Sequence, residues 1–169
     1  MIPYIQMKKI TKIYPENNVL ANNKIDFEVQ KREIHAMVGE NGAGKTTLMK
    51  ILYGIEQPDK GKIYINGKEV KIKSPLDANR LGIGMVHQHF KLIPEFTIAQ
   101  NVVLGIEPLR HMIFFDDKKT IQRVKELNKE FGFNVDPNVK VSQLSVGQMQ
   151  LVEIIKVLYR KSRSEGAHV

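Results

Sequence analysis

Gly39-Glu40-Asn41-Gly42-Ala43-Gly44-Lys45-Thr46 fits the phosphate-binding pattern G-x-x-x-x-G-K-[ST] at every required position. Its flanks follow the order strand, loop, helix. Ile34-His35-Ala36-Met37-Val38 before it is a short, mostly apolar run of the buried-strand kind, and Leu48, Ile51 and Leu52 after it fall at helical spacing. Gly39, Gly42 and Gly44 allow backbone conformations closed to other residues, so several N–H groups can turn inward on one phosphate chain. A helix opening near Lys45 adds unpaired N–H groups and the positive end of its dipole. In such a loop Lys45 reaches the β- and γ-phosphates as a point charge, the Thr46 hydroxyl joins the coordination of Mg²⁺, and Thr47 meets the α-phosphate. The competing reading is a glycine-rich turn with a chance Lys-Thr, which arises in roughly one chain in a hundred of this size. The strand and helix around the loop argue against it.

The 169 residues suffice for one domain with a sizeable core, and 42% apolar with 26% charged residues is ordinary for a globular protein. A net charge of +8 suits nucleotide phosphates, nucleic acid or an anionic membrane face, and equally a solvated basic surface. The Lys and Arg residues are scattered with few aromatics beside them, unlike a single-strand nucleic-acid groove, so no nucleic acid is expected. Without cysteine there is neither disulfide nor thiolate metal site, which fits a reducing compartment. The N-terminus lacks a basic region followed by an apolar stretch, so no export signal is expected. The longest apolar run, residues 151–159, is interrupted by Glu153 and Lys156 and is too short to span a bilayer.

Along the chain, residues 4–12 and 24–29 suggest strands of a small antiparallel layer, joined by a turn over 14–18. Residues 62–66 and 69–73 suggest a hairpin around Asn66-Gly67, and 75–81 a short helix with Pro75 at its first position. Residues 81–86 suggest a buried strand ending at His87-Gln88-His89, a position where α/β sheets bind ligands. Thr97 and Gln100 form a capping box opening a helix to about Leu104. Residues 107–115 suggest a loop, and 117–131 a surface helix with Ile121, Val124, Leu127 and Phe131 on one face. From Ser145, capped with Gln148, a second helix runs to about Arg160 with Leu151, Ile154, Ile155 and Leu158 as its apolar stripe.

Together these residues resemble the nucleotide-binding subunit of ATP-binding-cassette (ABC) transporters, in particular those of bacterial simple-sugar and nucleoside importers. Four features carry the resemblance from about Met7 to Arg160: Tyr14 before a polar turn, the phosphate loop, Gln88 at a strand end, and Leu144-Ser145-Val146-Gly147-Gln148. The last is similar to the signature Leu-Ser-Gly-Gly-Gln, with Val146 replacing the first Gly. The stretches Met85-Val86-His87-Gln88-His89-Phe90 and Phe96-Thr97-Ile98-Ala99-Gln100-Asn101 also look like the sugar and nucleoside branch.

The resemblance implies an α/β P-loop NTPase core with an antiparallel β layer and a helical subdomain. The expected division is 1–90 for the β layer and core, 91–160 for the helical subdomain and signature helix, and 161–169 for a divergent tail. ATP and Mg²⁺ are the implied ligands. Tyr14, Gly39, Asn41, Gly42, Gly44, Lys45, Thr46 and Thr47 would bind one nucleotide. Ser145, Gly147 and Gln148 would close on the γ-phosphate held by an opposing domain, so that two domains pair head to tail. Thr46 and Gln88 would face Mg²⁺, and Gln88 would sense the nucleotide state. The partners would be a second nucleotide-binding domain and membrane permeases docking near 88–110, placing the chain in the cytoplasm on the inner membrane face. From the residues alone, Tyr14 serves equally as a strand-end tyrosine or as a stacking platform for adenine. Gln88 offers a carbonyl oxygen to the metal and an amide to water or phosphate.

Past the signature helix the family continues with an apolar strand ending in a Mg²⁺-binding Asp and a water-polarising Glu, and later a switch histidine. Here Lys161-Ser162-Arg163-Ser164-Glu165-Gly166-Ala167-His168-Val169 follows instead. The core sheet is therefore expected to lack its C-terminal part, Glu165 and His168 are not expected to substitute, and the chain is expected to be truncated and to bind nucleotide without efficient hydrolysis. Two further readings stay open: a non-catalytic nucleotide-binding module, and a soluble ABC protein acting on nucleic acid or ribosomes.

Overall fold

Met7 and Ile10 stand three residues apart in one strand and are both fully buried, which strict alternation forbids. The structure, a computed structural model that describes the backbone of residues 2–106, 109–110, 114–115 and 117–166, gives the reason. β1 (Ile5–Tyr14) pairs antiparallel with β2 (Val19–Val29), and the register shifts between Met7 and Ile10. Lys9 takes a left-handed φ of 51° at that shift. The extra residue moves the side-chain phase by one, so Met7 and Ile10 share a face. The expected alternation over 4–12 is corrected to this bulged strand, and β2 starts earlier than the expected residue 24.

Two compact units divide the chain, Met1–Ile83 and Gly84–Val169. In the first, α1 (Lys45–Leu52) follows the phosphate loop, β3 (Lys60–Ile65) and β4 (Lys68–Val70) form the expected hairpin, and α2 (Pro75–Arg80) follows. Asn66 and Gly67 turn the hairpin with φ of 51° and 75°, as a two-residue primed turn requires. The four strands make one antiparallel sheet in the order β2-β1-β3-β4. Met7, Ile10, Ile63 and Ile65 of the sheet and Leu48, Ile51 and Leu52 of α1 are buried, each burial stabilising by about 1.5–3 kcal/mol.

The strands expected over 34–38 and 81–86 do not form. Ile34 is 100% and Val38 93% exposed. An apolar strand of the buried kind needs a ladder partner and a cover on both faces, and neither segment pairs with a strand among the described residues.

In the second unit, α3 (Ile98–Val103) opens on the expected capping box: Thr97 N–H donates to Gln100 Oε1 at 2.9 Å, and Gln100 N–H to Thr97 Oγ1 at 3.2 Å. Within 107–115, β5 (Leu109–Arg110) and β6 (Phe114–Phe115) pair antiparallel where a loop is expected, while residues 107, 108 and 111–113 lie outside the described ones. α4 (Asp117–Phe131) and α5 (Val146–Gly166) complete the unit. Its core joins Ile98, Val102 and Val103 to Val124 and Leu127 and to Val152, Ile155 and Tyr159.

Two stripes are thereby corrected. On α5 the buried face is Val152, Ile155 and Tyr159, while Leu151 and Leu158 only border the core. On α4, Phe131 is 45% exposed because the helix ends there, and the chain turns off at Gly132 with φ 69°; its ring stacks on Phe133 instead. The backbone of α5 runs beyond the expected end at Arg160. The side chains of 161–169, Glu165 and His168 among them, lie outside the described residues. Among the described residues no helix is long and apolar enough to cross a membrane.

Candidate nucleotide-binding site

The phosphate loop is held by its own backbone and by one strand. Gly42 and Gly44 take φ of 85° and 81°, a region that a side chain rarely adopts. At Gly44 space is also decisive: a Cβ there would overlap the Ala21 carbonyl oxygen and lie 2.7 Å from Asn22 Nδ2. Gly39 is different. It has no positive φ, and a Cβ would meet only ordinary contacts with Ala43 and Lys45. The expectation that all three glycines serve conformation is thus corrected to two.

Asn22 anchors the loop from β2. Its side chain is 3% exposed, and Nδ2 donates to the Gly44 carbonyl at 3.2 Å. The same carbonyl accepts the Leu48 N–H at 2.9 Å, the first intrahelical bond of α1. Asn22 Oδ1 is buried without a hydrogen-bond partner among the described residues. Sequence reasoning missed this residue, and the available signal was a polar side chain in a strand beside the loop.

α1 begins at Gly44 with no side-chain cap, so its leading N–H groups remain available to a ligand. Lys45 folds back over the loop, its Nζ donating to the Gly39 and Glu40 carbonyls at 2.7 Å each. Ala43 N–H closes the turn on the Glu40 carbonyl at 3.2 Å. An ammonium has three donors, so one remains after these two bonds. Thr46 is exposed and Thr47 half-buried in the first turn, and Asn41 is exposed at the loop tip. The loop, Lys45 and α1 are thus brought together as the sequence suggests.

Tyr14 ends β1, half-buried, with Lys12 Nζ 5.5 Å from its ring centroid. One ring face is therefore already engaged by a cation. Gln88 sits exposed in a bend of the second unit. Beside it, burial holds His87 below the usual histidine range, reinforced by the Lys91 and Lys156 charges and opposed by Glu153. Among the described residues no three His, Cys, Asp or Glu side chains gather as a metal site. The donor set fits Mg²⁺ only in the manner of phosphate-bound magnesium, where one or two protein oxygens, here the Thr46 hydroxyl, join the phosphates.

Ser145 caps α5 and is engaged with Gln148. Its N–H and Oγ reach Gln148 Oε1 at 2.9 and 3.1 Å, and Gln148 N–H returns to Ser145 Oγ at 3.4 Å. Gly147 has open space where a Cβ would be. Further along α5, Glu153 is 4% exposed and accepts the Lys91 N–H at 2.7 Å, while Lys156 Nζ donates to the Lys91 carbonyl at 3.1 Å. Burial lowers the Lys156 pKa. Gly84 lies so close to α5 that a Cβ would overlap Val157. The segment after residue 83 therefore lies along α5 rather than in a sheet. The two charges that interrupt the apolar run on α5 are the signal for this clamp, which the sequence reading treated only as interruptions.

Known proteins place this geometry. A nucleotide-free ATP-binding cassette from an ABC transporter superposes with a TM-score of 0.79 at 23% identity, covering 94% of this chain and 65% of that one. The ADP conformation of an ATP-binding cassette gives 0.79 as well, at 23% identity over 95% of this chain and 66% of that one. These likenesses establish the fold: a P-loop cassette with an antiparallel β layer and helices. The guanosine import ATP-binding protein NupO of Bacillus subtilis (strain 168) is 47% identical over 156 residues, 92% of this chain and 30% of the relative. The ribose import ATP-binding protein RbsA 1 of Rubrobacter xylanophilus is 42% identical over 164 residues, 96% of this chain and 32% of the relative. The chain spans about a third of the length of these relatives. With residues 22–164 matching the family described as ABC transporter, the chain belongs to the ABC transporter family.

Proposed function

We propose that the chain is the nucleotide-binding part of an ABC importer's energy-coupling ATPase subunit, serving a permease for a sugar or a nucleoside. The observation that carries this reading is the uncapped N-terminus of α1 behind a loop whose Gly42 and Gly44 are left-handed. Such a loop gathers backbone N–H groups on a phosphate chain. The likeness to guanosine and ribose import proteins supports the solute class.

In this reading Asn41, Gly42, Gly44, Lys45, Thr46 and Thr47 hold the phosphates, with Gly39 starting the loop. Tyr14 supports the adenine ring. The Thr46 hydroxyl would hold phosphate-bound Mg²⁺, the metal supplying charge screening when bound, and a role in sensing the nucleotide state is proposed for Gln88. Ser145, Gly147 and Gln148 complete the site of a second nucleotide-binding domain, so pairing is head to tail and ATP-dependent. Segment 1–90 carries the phosphate loop, 91–160 the signature helix, and 161–169 neither. Permeases dock near 88–110, which places the chain on the cytoplasmic membrane face, and no nucleic acid takes part.

Hydrolysis asks for a carboxylate beside the attacking water. In the loop the described acidic residue is Glu40, which is exposed and points its carbonyl, not a positioned carboxylate, at Lys45. The chain by itself therefore binds ATP or ADP and does not turn ATP over above background. Calorimetric titration with ATP and Mg²⁺, beside a steady-state phosphate-release assay, tests both halves. Saturable binding that Lys45→Ala removes is expected, without turnover; turnover at the pace of transport ATPases, or equal binding by Lys45→Ala, would refute the reading.

A further inference from the structure

A cavity of about 510 Å³ opens on the first unit, lined by Lys8, Lys9, Lys24, Lys60 and Lys62 with Tyr64. Its size is that of a small-molecule site, and among the described residues no carboxylate lines it. Lys62 is paired with Glu69 at 2.8 Å, and Lys8 Nζ stands 5.2 Å from the Tyr64 ring centroid. The side chains of Lys9, Lys24 and Lys60 form no ion pair among the described residues.

The backbone is arranged to put these lysines together. Lys9 and Lys24, on neighbouring strands, both take left-handed φ, 51° and 50°. Lys9 N–H is fixed by Asp26 Oδ1 at 2.7 Å, and Lys24 N–H by Thr11 Oγ1 at 3.2 Å. Gly61, with φ 108°, lets β3 approach β1 so closely that a Cβ would lie 2.7 Å from the Lys8 carbonyl oxygen and 2.8 Å from that of Lys9. Like charges gathered across strands oppose the fold unless an anion or water screens them. The five lysine side chains line one concavity, their aliphatic stems making most of its surface, with an aromatic ring in its wall.

We propose that this cavity binds a compact soluble polyphosphate anion, at a site separate from the phosphate loop. Three lysines without an ion-pair partner among the described residues suit a ligand with three or more negative charges, and their aliphatic stems give the site its apolar lining. The site does not depend on the transporter reading, because Lys45 and its loop contribute nothing to it.

The test uses the full chain carrying Lys45→Ala, which removes the competing phosphate loop, titrated with inorganic tripolyphosphate. Lys9→Asn, Lys24→Asn and Lys60→Gln are combined in one variant, Asn being chosen because it tolerates left-handed backbone. A control variant, Lys118→Gln, Lys125→Gln and Lys129→Gln on α4, carries the same net charge. Saturable binding is expected, weakened at least about tenfold by the cavity variant, less than about twofold by the control, and steeply by added salt. The single Lys60→Gln variant, which leaves both left-handed residues intact, should show a smaller loss in the same direction. Equal losses in the two triple variants, no saturable binding, or binding only to phosphatidylglycerol vesicles would overturn the proposal.

Discussion

The two helix N-termini proposed to hold phosphate are finished in opposite ways. α1 starts on a left-handed glycine with no side-chain cap, and β2 braces it through Asn22. α5 starts on a serine whose donors are turned back on its own Gln148, much as Thr97 and Gln100 close α3. The first site is made chiefly of backbone, with the Lys45 ammonium folded over it onto the Gly39 and Glu40 carbonyls. The second is made of side chains and is satisfied locally, so an incoming phosphate must displace Gln148. A change at α1 should therefore damage fold and binding together, whereas a change at α5 should be nearly silent in the isolated chain.

Gly44→Ala breaks the comparison hardest. It forces a side chain into a left-handed conformation and onto the Ala21 carbonyl, and clashes of this kind destabilise by roughly 2 kcal/mol or more. Urea unfolding should show a lowered midpoint, and nucleotide titration should show no binding. A stable variant that still binds would mean that the β2 brace does not set the loop.

Asn22→Ala comes next. The Gly44 carbonyl keeps its Leu48 partner but loses the buried amide. Losing a buried hydrogen bond of this kind costs about 1–3 kcal/mol. The expected result is lower stability in urea and nucleotide affinity reduced several-fold, with the loop's glycines unchanged. Unaltered affinity would confine Asn22 to a structural role.

This contrast also marks what the sequence could reveal. The loop was legible because a phosphate-binding loop is built from backbone that demands glycine at fixed positions, here Gly42 and Gly44, and is followed by a lysine at fixed spacing. The capping boxes at Thr97 and Ser145 were legible for the same local reason, since i and i+3 residues meet in any helix N-terminus. Asn22 was not, because its partner is 22 residues away in sequence. Nor was the Lys91 clamp, which joins residues 62 apart. The bulge at Lys9 hid in a strand that reads as near-alternating. Apolar runs such as 34–38 and 81–86 announce burial, yet a strand exists only if a neighbour supplies its ladder, and periodicity does not report the neighbour.

Ser145→Ala probes the self-satisfied end. It removes the cap of α5, worth about 1 kcal/mol, while leaving the phosphate loop untouched. Stability should drop by that small amount and monomer nucleotide affinity should hold. ATP-dependent pairing, read by sedimentation of the chain with a complete nucleotide-binding domain, should weaken. If monomer affinity fell as far as in the Lys45→Ala variant, α5 would be part of the chain's own site rather than of a partner's.

Gly147→Ala is the finest test. Nothing in the described chain fills the space where its Cβ would go, and alanine is favoured over glycine within a helix by about 0.5–1 kcal/mol. The chain's own fold thus gives no reason for a glycine in the first turn of α5, and the variant should be slightly more stable. A partner gives a reason, because a phosphate chain approaching an N-terminus needs bare backbone. The substitution should then raise the urea midpoint and at the same time weaken ATP-dependent pairing, two opposite signs from one methyl group. A gain in stability with pairing intact would show that α5 caps itself and nothing more.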